Sequence, residues 1–275
     1  MTTQPILRPG DHHAPAEPES ARRPTRPVAD PARRQPTRTA ADADSARSDA
    51  LPPSAAIQDY AKAIYVIAER TGGPVATSAL ADRLEVSPAS ATAMVKRMAE
   101  MNLVTHEPYR GVGLTAEGDR IALEMIRHHR LIELFLHETF DMPWDEVHDE
   151  AEVLEHAISE RLEDLISKKL GNPRFDPHGD PIPTRDGEVA DVDHVPLSAL
   201  EVGDDGVFVR VSDSDPEMLR YLADHGIAPG RRFTVAERQP FGGPLFVNFD
   251  DVPEPQVIGH GLAAAMRVVR KGGVA

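Results

Sequence analysis

The 275-residue sequence has no cysteine. That excludes a disulfide-built scaffold, a thiolate zinc finger and a thiol enzyme. Aromatic residues make up only 5% of the chain. No window holds ~18 uninterrupted apolar residues, so a transmembrane helix is excluded. The N-terminus lacks the apolar stretch of a signal peptide, and a cytoplasmic protein with no membrane partner is expected. The net charge of −15 argues against a uniformly basic nucleic-acid binder, although the total conceals its distribution. At ~100–200 residues per domain, one to three domains are expected.

The charge divides unevenly. Residues 1–54 hold ten of the 25 prolines, eight arginines and seven acids, with no Phe, Trp or Tyr. Such a stretch cannot bury enough surface to offset its ordering entropy, so a disordered tail is expected. Its arginines are either a bland solvated feature or a source of weak phosphate contacts. Residues 55–123 are nearly balanced, with seven bases and eight acids. Residues 124–172 carry thirteen acids, five bases and five of the twelve histidines. That mixture suits metal cations, while 55–123 remains free to meet a polyanion.

Within 55–123, Ser54 can cap a first helix that Gly72 ends. Ile57, Ala61, Ile64 and Ala68 form one buried stripe, and Asp59 points away from it. A short helix from Thr77 to Leu84, a turn at Glu85-Val86-Ser87 and a helix opening on Pro88 form a helix-turn-helix. Leu80, Leu84, Val86, Val95 and Met98 are its expected core. Small residues crowd the start of the second helix, as insertion into a major groove requires. Ser87, Ser90 and Thr92 can donate to phosphates or base edges, Ala89 and Ala93 can touch thymine methyls, and Lys96 and Arg97 can reach the backbone. Two short strands around Pro108-Tyr109-Arg110-Gly111 then form a wing, with Tyr109 and Arg110 at its tip. The competing reading is an αα-hairpin used only for packing.

Metal-ligand residue types gather in the middle segment. Thr115 caps a helix reaching about His137, with His129 and Glu133 at i, i+4 on one face. A second helix is expected from Trp144 to Leu170, with Val147, Ala151, Leu154, Ile158, Leu162 and Leu165 facing its core. His148, Glu152, Glu155 and His156 then fall in a band ~100° wide beside that stripe. The bland alternative is a solvated acidic face. Imidazoles and carboxylates without a thiolate suit Mn²⁺, Fe²⁺ or Zn²⁺. Neither His-Glu-x-x-His nor a doubled Glu-x-x-His occurs, so the zincin and ferritin-like motifs are not met. His128 and His137 follow no pattern and are expected at the surface.

The strings Asp59-Tyr60, Arg127-His128-His129-Arg130-Leu131, His148-Asp149-Glu150-Ala151-Glu152-Val153-Leu154-Glu155-His156 and Pro177-His178-Gly179-Asp180-Pro181-Ile182-Pro183 resemble those of the diphtheria-toxin-repressor family. This family comprises metal-dependent bacterial transcriptional repressors, and the resemblance spans about residues 55–275. It implies a mainly α fold with small β parts: a winged helix-turn-helix (55–123), a helical metal-binding and dimerisation domain (124–178), a linker (179–196) and an SH3-like β-barrel of the ferrous-transport type (197–275). Carried over by position, a primary metal site is Asp59, Glu152, Glu155 and His156. An ancillary site is His129, Glu133 and His148, which makes two sites per subunit.

The family's iron regulators carry Met and Cys where Asp59 and Glu152 stand here. Two carboxylates resemble the manganese regulators, and hard oxygen ligands suit Mn²⁺. Lys62 stands where the short manganese regulators place a further glutamate ligand, so a closely spaced binuclear site through that residue is not expected. The β domain offers only Val207 and Arg210 near the positions where iron regulators lend ancillary ligands. The resemblance implies a Mn²⁺-activated homodimeric repressor of metal-homeostasis genes, bound to a pseudo-palindromic operator. An Fe²⁺-dependent repressor of the same fold is the near alternative. A metal-binding enzyme or storage protein is the distant one.

Overall fold

Helix α1 (Ala55–Thr71) starts behind an extended Ser54 and ends where Gly72 takes a φ of 71°, a left-handed stop that glycine adopts without a Cβ clash. Its Ile57, Tyr60, Ala61 and Ile64 face inward. Helix α2 (Thr77–Arg83) and helix α3 (Pro88–Glu100) follow. The Ser87 hydroxyl accepts the Ser90 N–H at 3.1 Å, and Pro88 fills the first turn. Strands β1 (Val104–Glu107) and β2 (Gly111–Leu114) pair antiparallel, from Val104 opposite Leu114 to Glu107 opposite Gly111. Val75 bridges to Val112 beside them. Gly111 is required there: its φ is 107°, and a Cβ would lie 2.9 Å from the Val75 carbonyl oxygen.

The computed structural model describes residues 53–107 and 110–271. The tail expected over residues 1–54 therefore lies outside the described residues up to position 52, as does Tyr109 at the wing tip. Residues 52–275 cluster as one compact unit. Leu80, Val95 and Met98 are buried as expected, together with Ala91, Val75, Val112, Ile121 and Ala122. Val86 is not: at 36% exposed it lies in the turn outside this core, and Leu84 is only partly buried.

Helix α4 (Ala116–Phe140) is capped by the Thr115 hydroxyl, which accepts the Gly118 N–H at 3.2 Å. It joins two cores: Ile121 and Ala122 pack with the winged helix, Ile132 and Leu136 with Val147 and Ala151. The single helix expected from Trp144 to Leu170 is two. Helix α5 (Val147–Leu154) and helix α6 (Glu160–Lys169) are separated by a turn, and the Ser159 hydroxyl caps the second by accepting the Leu162 N–H at 3.3 Å. The break resets the helical phase. Glu163, Ile166 and Ser167 become the buried side of α6, while Leu162 and Leu165, expected in the core, are 44% and 55% exposed. Leu154 is exposed too. Trp144 packs with the C-terminal core, its indole N–H reaching the Leu219 carbonyl at 3.2 Å.

Residues 174–184 fold back on α4. Asp176 Oδ1 accepts the N–H groups of His178 and Asp180 at 2.9 and 2.8 Å. Arg127 donates to the Pro183 carbonyl and Arg130 to that of Pro181. Gly179 has a φ of 88°, and a Cβ on it would run into the Val209 carbonyl oxygen. This close approach presses the loop against the β domain.

That domain is a six-stranded antiparallel sheet in the order β3-β8-β4-β5-β6-β7. Its strands are β3 (Val195–Pro196), β4 (Asp205–Arg210), β5 (Arg232–Arg238), β6 (Leu245–Phe249), β7 (Gln256–Ile258) and β8 (Arg267–Arg270). Helix α7 (Pro216–Asp224) lies between β4 and β5 in the chain. Ala264 and Ala265 end helix α8 (His260–Ala265), just before β8. Phe208, Phe233, Val235, Val247 and Val268 build the core, one alternate face of each strand.

Candidate metal centre

The period of α4 puts His129 and Glu133 one turn apart on a buried face. His129 Nε2 lies 2.9 Å from Glu133 Oε1 and 3.1 Å from His148 Nδ1 of α5. His148 Nδ1 is also 3.3 Å from Asp213 Oδ2, in the segment after β4. The ligand atoms of His129, Glu133, His148 and Asp213 all lie within 4.8 Å of one another. The three residues expected for the ancillary site are thus together, with a fourth that sequence reasoning missed. Asp213 sits in a Ser-Asp-Ser-Asp loop with no periodicity to mark it, and the β domain reaches the site through it rather than through Val207 or Arg210.

A second set joins the two helical domains. Asp59 Oδ1 of α1 lies 2.9 Å from His156 Nε2, just beyond α5. The other ring nitrogen, Nδ1, is 2.8 Å from Gln58 Oε1. With Nδ1 turned to that amide oxygen, Nε2 is the ring nitrogen presented to Asp59. Glu155 Oε1 lies 3.7 Å from His156 Nε2. This oxygen is buried and has no hydrogen-bond partner among the described residues. Asp59, Glu155 and His156 form one cluster within 4.8 Å; Glu152 is not part of it. The primary site predicted from four side chains is brought together as three.

Glu152 turns instead to Lys62. The Lys62 ammonium donates to Glu152 Oε1 and Glu155 Oε2, each at 2.7 Å, and lies 3.2 Å from His129 Nδ1. One turn after Asp59 on α1, it enters the gap between the two sets.

The charges explain the titration of these groups. Burial opposes ionisation of Glu133, but the neighbouring His129 and His148 outweigh it and hold the carboxyl down at about 2. Hydrogen bonding to Asp213 and Glu133 raises His148 to about 10 against its own desolvation. Burial raises Asp59, and the nearby Glu155 and Glu152 carboxylates add to this while His156 opposes it. Repulsion among crowded carboxylates is relieved by cations, which is the chemistry a divalent ion supplies.

His128, expected at the surface, is 5% exposed. Its Nδ1 is 3.1 Å from the Glu155 carbonyl oxygen and its Nε2 3.1 Å from Glu163 Oε2. Both partners only accept, so both nitrogens donate and the ring is an imidazolium. It pins the backbone that carries Glu155. His137 is half-buried, with Nδ1 2.8 Å from the Met142 carbonyl oxygen.

On the winged helix, Ala89, Thr92, Ala93 and Lys96 lie at helical spacing along the exposed side of α3, with Ser87, Ser90 and Arg97 exposed beside them. Ser87 and Ser90 share a 2.8 Å hydroxyl contact, and the Thr92 hydroxyl donates to the Pro88 carbonyl at 2.8 Å. These bonds fix the rotamers of small side chains on a convex face. Arg110 is exposed at the wing.

Sequence and structure comparisons agree with this architecture. Residues 54–112 match the family described as iron dependent repressor, N-terminal DNA binding domain. Residues 115–184 match iron dependent repressor, metal binding and dimerisation domain, and 195–270 match the FeoA domain. The iron-dependent repressor IdeR of Mycobacterium leprae is 33% identical over 216 residues, covering 73% of this chain and 93% of that protein. A solved manganese-dependent transcriptional repressor in complex with manganese is 44% identical, with a TM-score of 0.71 over 78% of this chain and 100% of its own. The manganese regulator SloR is 29% identical, with a TM-score of 0.61 over 80% of this chain and 100% of that one. A winged helix joined to a carboxylate–histidine centre defines a metal-dependent DNA-binding regulator. The chain belongs to the diphtheria-toxin-repressor family of metal-dependent transcriptional repressors, and so to a family of regulators rather than enzymes.

Proposed function

We propose that this chain is a Mn²⁺-activated homodimeric repressor of metal-homeostasis genes, acting in the cytoplasm on a pseudo-palindromic operator. One observation carries the reading: Asp59 comes from the DNA-binding domain, while its partners Glu155 and His156 come from the helical domain. The donor set fits a divalent cation. The unpaired buried Glu155 Oε1 faces the same space as Asp59 and His156, and neither donor set includes sulfur. A bound dication supplies the positive charge that holds these donors together. Asp59 then fixes α1 against the helical domain, and with it the angle of α3. Shifting such an equilibrium from 1:99 to 99:1 requires ~5.5 kcal/mol of differential binding.

His129, Glu133, His148 and Asp213 form the second site of each subunit, tying α4 and α5 to the β domain. Ala89, Ser90, Thr92 and Ala93 read the major groove, while Ser87, Lys96, Arg97, Tyr109 and Arg110 hold phosphates. The carboxylate at position 59, where the iron regulators carry Met, favours Mn²⁺. The resemblance to a manganese-bound repressor at 44% identity supports the same choice. Fe²⁺ is the second reading, favoured by the similarity to IdeR.

The test is an anaerobic operator-shift titration of metal-free protein with Mn²⁺, Fe²⁺ and Zn²⁺. Mn²⁺ should activate at the lowest free concentration, and Glu155→Ala or His156→Ala should abolish activation with helix content retained. His129→Ala should give a weaker, partly rescuable defect. Activation by Fe²⁺ ahead of Mn²⁺ would transfer the assignment to iron, and metal-independent binding would overturn it.

A further inference from the structure

The set of His129, Glu133 and His148 is completed by a residue of the β domain. Asp213 lies in the stretch 211–215 between β4 and α7, 3.3 Å from His148 Nδ1. That stretch is anchored at both ends, and both anchors lead to Trp144, the one tryptophan of the chain. At its start, the Val211 N–H donates to the His178 carbonyl at 3.0 Å, and His178 Nε2 donates to the Trp144 carbonyl at 2.7 Å. The Trp144 and His178 rings stack with centroids 5.8 Å apart. At its end, the Asp215 carboxylate caps α7 by accepting the Met218 N–H at 3.1 Å. The Trp144 indole N–H holds α7 at the Leu219 carbonyl, and Arg220 Nη1 donates to Asp145 Oδ2 at 3.2 Å. Trp144 precedes α5 in the chain, yet it is buried in the core of the β domain.

We propose that Trp144 is a positioning residue that presets Asp213 opposite His148, so that the second site has its β-domain ligand in place before metal arrives. This rests on the second-site reading above. His148 lies one helical turn's length of chain after Trp144, and the Glu146 N–H closes the turn into α5 by donating to the Pro143 carbonyl at 2.9 Å. The anchor and the ligand facing Asp213 therefore share one short piece of chain. The spacing of His148 and Asp213 is set by these few residues and their hydrogen bonds, not by the linker between the domains. Within the anchored stretch, a 2.8 Å contact between the Ser212 and Ser214 hydroxyls stiffens the backbone on either side of Asp213. A ligand already held in place loses little conformational freedom when an ion binds, which raises affinity. A β domain free to swing would have to be immobilised at each binding event, which subtracts from affinity. The indole N–H is a donor only and cannot ligate a cation, so Trp144 acts through Asp213.

The experiment uses the full chain in a His156→Ala background, which disables the primary site so that the second is titrated alone. Mn²⁺ affinity is measured by equilibrium dialysis for Trp144→Phe, Arg220→Ala and Asp213→Asn. Trp144→Phe keeps a ring in the core but has no N–H, and should weaken binding about tenfold. Arg220→Ala tests the same anchor at a half-exposed side chain, without disturbing the core, and should weaken binding about threefold. Asp213→Asn should weaken binding as well, and adding Trp144→Phe to it should change little further, whereas a general loss of structure would lower affinity again. Tryptophan emission of the metal-free wild-type chain should be that of a buried indole and should not shift when Mn²⁺ is added. Undiminished affinity in Trp144→Phe and Arg220→Ala, or an equal loss on the Asp213→Asn background, would overturn the positioning role. A red shift of the emission on metal removal would overturn docking before metal. Either result with two Mn²⁺ still bound by wild type would leave the repressor reading standing, whereas wild type that binds no Mn²⁺ would remove that reading and the Trp144 role together.

Discussion

Glu163 shows how one side chain supports the candidate metal centre without belonging to it. Its carboxylate accepts from Arg127 Nε at 2.5 Å and from His128 Nε2 at 3.1 Å. Burial opposes its charge, yet these two bonds outweigh burial and lower its pKa below the usual range. A depressed acid contributes stability above its unfolded pKa, ~4.3, and loses it as pH falls through the folded value. Glu163→Ala leaves Arg127 and His128 buried without their partner and should cost ~3 kcal/mol at neutral pH. Urea denaturation should show that gap narrowing below pH ~4; a gap independent of pH would mean that packing, not charge, is lost. Nothing in the sequence singled out Glu163, because its partners lie 35 and 36 residues away on α4. His128 was misread for the same reason: i, i+4 spacing reveals pairs on one helix, not pairs between helices.

At the scale of elements, the winged helix was legible because its signals are local. Ser87-Pro88 marks the start of α3, Gly72 the end of α1, and small residues the exposed face. Two kinds of contact should separate in salt titrations of operator binding. Lys96→Ala and Arg110→Ala should weaken operator and random DNA alike, each lowering the salt slope by about 1. Ser90→Ala should reduce operator affinity more than random-DNA affinity. Parallel loss in all three variants would place the base-reading residues elsewhere. The α5–α6 break was not read, although Ser159 followed by Glu160 is an N-cap signal. A continuous apolar pattern masked it, and the phase assigned to Leu162 and Leu165 was wrong as a result.

At the scale of the whole molecule, that corrected phase has a consequence. Leu162 and Leu165 on α6 are exposed in the single chain, as are Val153, Leu154 and Phe140. They lie in the region matching the metal-binding and dimerisation domain. Two copies of such a face can bury each other, with each fully covered side chain contributing ~1.5–3 kcal/mol. Leu162→Lys with Leu165→Lys should therefore yield a monomer in analytical ultracentrifugation at micromolar concentration, with metal binding retained and operator affinity reduced. A variant that remains dimeric would place the interface on another surface. No helix among the described residues is long and apolar enough to cross a membrane, so the exposed patch is not part of a helical span.

The sequence by itself determined the helix-turn-helix, the wing strands, and the i, i+4 pair His129 and Glu133. Each depends on a period or a cap read within ~20 residues. It also narrowed the metal ligands to carboxylates and imidazoles, since no thiolate exists. Only the tertiary structure decided which ligands meet. The turn after α5 aims Glu155 and His156 at Asp59, the close passage at Gly179 presses the 174–184 loop against the β domain, and Asp213 joins His148 across 65 residues of chain. Lys62 withdraws Glu152 from the set to which its position had assigned it. The physical reason is that a ligand shell is a convergence of distant segments, fixed by packing and charge balance, while periodicity constrains only the face of one element.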